Sequence, residues 1–216
     1  MFKMLALGLL WLSIQANAAQ LIEKQGNVFI QTDTGQVQQL THLGQDSQPA
    51  LSFDGKRIVF VRKQARSNPL IADEQPNELW MMDATGGNAR VLLSPHEDED
   101  PRKNLTDFSH PLFSLDGTAV YFNCAAWVTS GAIHRIDFST QQTNFITDGD
   151  SLDIVPAGKY QGYLIVYKHK YRKSGGANDA YWLVSPLGKE IRRIGTTEKH
   201  VTAFIRNSIP KKPLPK

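Results

Sequence analysis

No feature of this chain constrains its fold more than a stretch that repeats itself in register. Pro49-Ala50-Leu51-Ser52-Phe53-Asp54-Gly55-Lys56-Arg57-Ile58-Val59-Phe60 recurs as Pro111-Leu112-Phe113-Ser114-Leu115-Asp116-Gly117-Thr118-Ala119-Val120-Tyr121-Phe122, with Pro, Ser, Asp, Gly and the closing Phe at matching positions. In each copy an Asp-Gly pair separates two short runs rich in β-branched and aromatic residues. Glycine accepts the positive φ of a tight turn, so each copy reads as a β-hairpin. A repeated unit of this size cannot bury its apolar face alone and has to stack on its neighbours.

A second hairpin type follows the first. Glu78-Leu79-Trp80-Met81-Met82-Asp83 runs through a Gly86-Gly87 turn to Arg90-Val91-Leu92-Leu93. Weaker copies are Val28-Phe29-Ile30 through Gly35 to Leu40, Ile133 to Ile146, and Tyr181-Trp182-Leu183-Val184 through Gly188 to Ile194. Alternating the two hairpins gives four-stranded units, a-b-c-d, which stack face to face around an axis as blades. The fold class expected is therefore all-β: a β-propeller of four-stranded antiparallel blades. Units fall at about 49 to 93, 111 to 147 and 152 to 194, the last without an Asp-Gly turn, and Leu21 to Thr41 offers strands b, c and d without an a. Val201 to Arg206 reads as one more strand. Four blades close into a ring if that C-terminal strand enters the first blade; the rival is an incomplete ring completed by another copy or a partner.

The apolar fraction of 41% and charged fraction of 21% suit one globular domain. Residues 1 to 18 read as an export signal, with Lys3 in the n-region, an apolar stretch from Met4 to Ile14, and an Ala16-Asn17-Ala18 cleavage site. That stretch is too short to span a bilayer, and no later one is longer. Residues 19 to 207 form the propeller domain, and 208 to 216 a basic, Pro-rich tail expected to be extended. The protein is thus expected in the periplasm or secreted, cleaved after Ala18, without a transmembrane segment. The net charge of +3 includes Lys3 and is too small to capture nucleic acid. Cys124 is the single cysteine, so no internal disulfide forms, and its apolar neighbours predict a buried, inert thiol.

The two hairpin types resemble the repeat of TolB-type propellers, in which a Ser-x-Asp-Gly turn after a Pro precedes an apolar strand ending in Phe. Ser52 to Gly55 and Ser114 to Gly117 carry that likeness, with Leu79 to Gly87 and Leu40-Thr41 supporting it. The resemblance implies a periplasmic propeller that binds a partner within an envelope assembly, and it does not extend to the N-terminal domain that TolB carries. Similar propellers occur in peptidases and polyuronate lyases, so the resemblance alone does not select a function.

Chain direction predicts where a functional surface lies. In an up-and-down blade the a-b and c-d turns occupy one face of the disc, and the b-c loops and d-to-a crossovers the other. The first face receives Asp54-Gly55, Gly86-Gly87 and Asp116-Gly117, all tight turns. The second receives Lys63 to Asn77, Pro95 to Ser109, Ala125 to Gly131 and Lys168 to Asp179, all read as long loops. Long loops on a rigid frame are where binding residues concentrate. Two of them are oppositely charged: His96-Glu97-Asp98-Glu99-Asp100-Pro101-Arg102-Lys103 and Lys168-His169-Lys170-Tyr171-Arg172-Lys173. The candidate binding residues are His96, Asp98, Asp100, Arg102, His110, Lys168, His169, Lys170, Tyr171 and Arg172, with His110 placed just before a strand a, near the axis. Against this stands the plain reading of both runs as solvated loops.

Catalysis is not indicated. The histidines (His42, His96, His110, His134, His169 and His200) show no zinc-ligand spacing, and there is no G-x-S-x-G elbow. No metal, cofactor or catalytic residue is assigned; a divalent cation held by Glu97, Asp98 and Asp100 lacks the spacing and Gly of a calcium loop. The expected function is an exported, non-enzymatic propeller that binds an envelope protein through its long-loop face. The alternative is a small lyase or carbohydrate-binding propeller, in which Tyr167 and Tyr171 stack on acidic sugars whose carboxylates meet Lys and Arg.

Overall fold

A computed structural model describes residues 19–64, 76–172 and 174–209; the expected signal, most of the Lys63 to Asn77 loop and most of the tail lie outside the described residues. The described chain forms fifteen strands in four antiparallel sheets, followed by one helix. The first sheet has three strands, β1 (Gln20–Lys24), β2 (Asn27–Gln31) and β3 (Val37–Gln39). The second comprises β4 (Asp46–Leu51), β5 (Arg57–Lys63), β6 (Asn77–Asp83) and β7 (Arg90–Leu93). The third comprises β8 (Ser109–Phe113), β9 (Ala119–Trp127), β10 (Ser130–Asp137) and β11 (Thr143–Asp148). The fourth comprises β12 (Ser151–Ile154), β13 (Leu164–Tyr171), β14 (Ala177–Val184) and β15 (Glu190–Gly195), and α1 (Glu198–Ser208) follows. Each sheet runs in sequence order, as propeller blades do, and the fold is an all-β propeller.

The repeated Ser-x-Asp-Gly motif is legible as hydrogen-bond chemistry. Ser52 Oγ donates to Asp54 Oδ1 at 2.6 Å and accepts from the Arg57 N–H at 2.9 Å. Ser114 Oγ repeats this with Asp116 Oδ1 at 2.6 Å and the Ala119 N–H at 3.0 Å. Gly55 and Gly117 have φ of 70° and 68°, which lets the chain reverse without a Cβ clash. Both Asp carboxyls are held below their ordinary value, first by that serine and then by the backbone N–H two residues on.

Apolar clusters lie between successive sheets. Val28, Ile30, Leu40, Ile58, Phe60 and Met82 join the first to the second. Val59, Leu79, Met81, Phe113, Val120 and Phe122 join the second to the third. Tyr121, Ile133, Leu164, Val166 and Val184 join the third to the fourth. Glycines at the c-d turns fit against the preceding blade: a Cβ on Gly86 would meet Leu40, and one on Gly188 would meet the Ile146 carbonyl. These matched contacts identify β3 with β11 as d strands, so the first sheet lacks strand a, in agreement with the sequence.

Ring closure by a C-terminal strand is overturned. Val201 to Arg206 lie within α1, not in the first blade. Val201, Phe204 and Ile205 fall at helical spacing and pack with Val155, Ile165 and Leu183 on the far face of the fourth sheet. A six-residue window with large apolar residues at its first, fourth and fifth positions fits a short strand as well as a helix, and only the wider spacing separates the two. Among the described residues no apolar cluster joins the fourth sheet to the first. The missing Asp-Gly turn of this unit is explained by the same contact: the longer a-b connection brings Gly158 against the Ser208 carbonyl that ends α1.

Candidate functional site

The two faces predicted from chain direction are recognisable in the contacts. On the tight-turn face, Arg57 Nη2 donates to the Gly117 carbonyl at 2.7 Å, tying two a-b turns. On the opposite face, the β9–β10 tip, the crossovers and the β13–β14 tip meet one another. Asn104 Nδ2 donates to the Ala125 carbonyl at 3.0 Å, the Gly131 N–H to Asp150 Oδ1 at 2.6 Å, and Tyr171 Oη to Thr129 Oγ1 at 3.3 Å.

Two of the expected long loops on that face are strands instead. β9 and β10 pair out to Trp127 and Ser130, and β13 and β14 pair out to Tyr171 and Ala177. Each hairpin keeps its ladder until the last few residues, because cross-strand hydrogen bonding continues wherever backbone groups face one another. The Lys63 to Asn77 connection begins as a paired hairpin, and its remainder lies outside the described residues.

Strand alternation then sorts the basic segment. Leu164, Val166 and Lys168 point towards the third sheet, whereas Ile165, Tyr167 and His169 alternate to the other face, and Tyr171, at the strand end, reaches Thr129 of the third sheet. Lys168, expected on an exposed loop, is 1% exposed, with Nζ at 2.7 Å from Thr147 Oγ1, 2.8 Å from Asp148 Oδ1 and 2.6 Å from Glu190 Oε1. It clamps the third sheet to the fourth. Lys170 shares Glu190, through Oε2 at 2.5 Å, and sits over the Trp182 ring at 3.9 Å. Glu190 resists the upward pull of its own burial because both ammonium groups hydrogen-bond it, and its pKa stays below the ordinary value. His169 Nδ1 pairs with Asp179 Oδ1 at 2.6 Å, and its ring meets Tyr171 edge-on at 4.8 Å. Tyr171 is 71% exposed, and Arg172 is exposed at the turn, where its N–H bonds the Gly176 carbonyl.

The acidic crossover is spent largely on itself. His96 and Leu105 form an isolated β-bridge; Asp98 Oδ1 accepts the Asp100 N–H at 2.8 Å, and Asp100 Oδ1 the Arg102 N–H at 3.0 Å. The Arg102 carbonyl meets His134 Nε2 at 2.9 Å. His134 is buried between Phe122 and Phe145, and burial lowers its pKa. A cavity of about 770 Å³ opens beside this crossover, lined by Glu97, Asp98, Asn104, Thr106 and Asp107. Among the described residues no group of three His, Cys, Asp or Glu side chains is placed to hold a metal ion.

His110 stands at the inner edge of the third sheet with φ of 48°, as Gln48 does in the second with φ of 51°. Both precede a proline at a β-bulge. The strain is supported in series: the Gln48 N–H donates to Glu23 Oε2 at 2.7 Å, and the His110 N–H to Gln48 Oε1 at 2.6 Å. The ten candidate residues therefore do not converge. The structure adds two that sequence reasoning missed: Trp127 is 38% exposed, and Val128, at the very tip of β9–β10, is fully exposed. Their signal is an apolar pair at a turn, where polar residues are usual.

No protein-family model matches the sequence, and no characterised protein matches it by sequence. Solved structures do match. TolB from Acinetobacter baumannii superposes with a TM-score of 0.55 at 17% identity, covering 83% of this chain and 40% of that one. Porphyromonas gingivalis dipeptidyl peptidase 4 gives 0.56 at 12% identity, covering 83% of this chain and 31% of that one. An oligogalacturonate lyase in complex with manganese gives 0.50 at 16% identity, covering 79% of this chain and 42% of that one. The chain spans less than half the length of each, and at these identities the likeness is one of fold.

Proposed function

We propose that this chain is an exported, non-enzymatic propeller that binds a protein partner at the cell envelope through the face bearing its hairpin tips. The observation that carries the reading is the ridge made by Trp127, Val128 and Tyr171, which stand exposed on two neighbouring hairpins cross-linked by the Tyr171–Thr129 hydrogen bond. Exposed aromatic and aliphatic side chains on stiff strands lose little entropy on docking and make effective anchors. The leader-like residues 1 to 18 and the fold shared with TolB support an envelope setting.

The acidic-polysaccharide reading has less support. Of the cations meant to meet carboxylates, Lys168 is buried, and Lys170 and His169 already face acids of this chain. The test of the favoured reading is affinity capture from detergent-solubilised envelopes, comparing the wild type with Val128→Asp and Trp127→Ala. A specific protein retained by the wild type and lost from both variants is expected; equal capture by all three overturns the reading.

A further inference from the structure

Between the β9–β10 tip and the crossover into the fourth sheet lies a cavity of about 510 Å³, lined by Asp107, Ser109, Asn123, Trp127, Val128 and Asp150 among others. It adjoins the cavity beside the acidic crossover, because Asp107 lines both. Backbone pairing holds the two side by side: the Ala125 N–H donates to the Thr106 carbonyl at 3.0 Å, and Asn104 Nδ2 to the Ala125 carbonyl at 3.0 Å. Among the described residues the two linings supply the carboxylates of Glu97, Asp98, Glu99, Asp107 and Asp150, and no lysine, arginine or histidine. Neither Asp107 nor Asp150 forms an ion pair with a described residue. Asp150 is anchored through one oxygen, Oδ1, which accepts the Gly131 N–H at 2.6 Å.

A second observation is independent of that charge. Strand alternation turns Asn123 towards the fourth sheet, as it does Tyr121, and away from Phe122 and Cys124, which pack on the second. Asn123 is 4% exposed. Its Nδ2 donates to the Gly149 carbonyl at 3.1 Å, which fixes the orientation of the amide, and its Oδ1 has no hydrogen-bond partner in the chain. A buried amide oxygen without a partner is costly, and a donor that satisfies it reaches it from the cavity that Asn123 lines. Carboxylates, hydroxyls and an amide oxygen all accept, so the matching ligand group is a positively charged donor. Among the described residues no group of three His, Cys, Asp or Glu side chains is placed to hold a metal ion. Trp127 and Val128 add what a bare ion does not use: an aromatic face for an ammonium or guanidinium group, and apolar surface for a methylene stem.

We infer that this cavity receives a lysine or arginine side chain of the protein partner, with its cationic head held by Asp107, Asp150 and Asn123 Oδ1 and its stem laid on Trp127 and Val128. The cavity beside the acidic crossover extends the same charge, so the partner segment that carries this side chain is basic. The inference rests on the protein-partner reading and deepens it by naming the anchor. The exposed ridge supplies contact area, and the acceptors beneath it supply register and partner choice.

The experiment is NMR titration of the full chain with acetyl-Gly-Arg-Gly-Arg-Gly-amide and its lysine counterpart, with the citrulline counterpart as uncharged isostere and calcium chloride as bare cation. Saturable binding of a basic peptide is expected, weakened by added salt, with shift changes in residues 105–109, 123–131 and 149–150 and at the Asn123 side-chain amide. The double variant Asp107→Asn with Asp150→Asn keeps the shape of both side chains and an acceptor for the Gly131 N–H; it should weaken binding at least about tenfold. An unchanged spectrum away from the cavity confirms that the variant is folded. Binding of neither basic peptide at about 10 mM, whether or not calcium binds, overturns the inference. So do equal binding of the citrulline peptide and undiminished binding by the folded double variant. Envelope capture with the same double variant separates the anchor from the partner. A protein lost from Val128→Asp but retained by the double variant refutes the basic anchor alone; absence of any specific protein, with peptide binding intact, refutes the partner reading and not the pocket.

Discussion

Replacing Lys168 by Met tests how the third and fourth sheets are held together. Methionine keeps most of the stem that packs between the sheets and deletes only the ammonium, which bonds Thr147 and two carboxylates. Removing one partner of a fully buried ion pair costs roughly 3–5 kcal/mol. Here the carboxylates retain solvent access, with side-chain exposures of 42% for Asp148 and 34% for Glu190, and Glu190 keeps Lys170. The cost should therefore fall lower, at about 2–3 kcal/mol, and in a domain of this size each kcal/mol lowers Tm by about 2–4 °C. The loss should also depend on pH. Glu190 has a folded pKa below its unfolded value, so its contribution is fully present above the unfolded value and disappears as pH falls through the folded one. Urea unfolding of wild type and Lys168→Met at pH 7 and at pH 3 reads both effects, with the gap between the proteins shrinking in acid. A loss under about 0.5 kcal/mol at pH 7, or an equal loss at both pH values, refutes the idea that the ammonium acts as an ionic clamp.

Two further outcomes follow from burial. Cys124 is buried, and burial raises its thiol pKa, so a thiol reagent should leave it unmodified in the native protein at pH 8 and react on unfolding; rapid native modification would contradict its placement. Truncation before Glu198 strips α1 from Val155, Ile165 and Leu183, so the shortened chain should bind a hydrophobic dye and self-associate in size-exclusion chromatography. A monomer indifferent to the dye would show that α1 is not needed as a cover.

The sequence by itself determined the local architecture. Asp-Gly and Gly-Gly turns impose φ values that few residues tolerate, alternation within each strand assigns its faces, and repetition of the unit forces stacking; that is why the blades, their boundaries and the tight-turn face were legible without coordinates. The absence of strand a from the first sheet was legible too. Tertiary structure decided what local patterns leave degenerate. Val201 to Arg206 suits a strand or a helix, and the apolar far face of the fourth sheet selects the helix, because a helix presents Val201, Phe204 and Ile205 to it together. The charged run from Lys168 to Lys173 has the composition of a solvated loop, yet pairing with β14 extends its first four residues, to Tyr171, as a strand and splits them between two faces, burying Lys168 where Asp148 and Glu190 neutralise it. Partners of that kind lie in other strands, distant in sequence, so the exposure of a charge is settled only when the sheets meet.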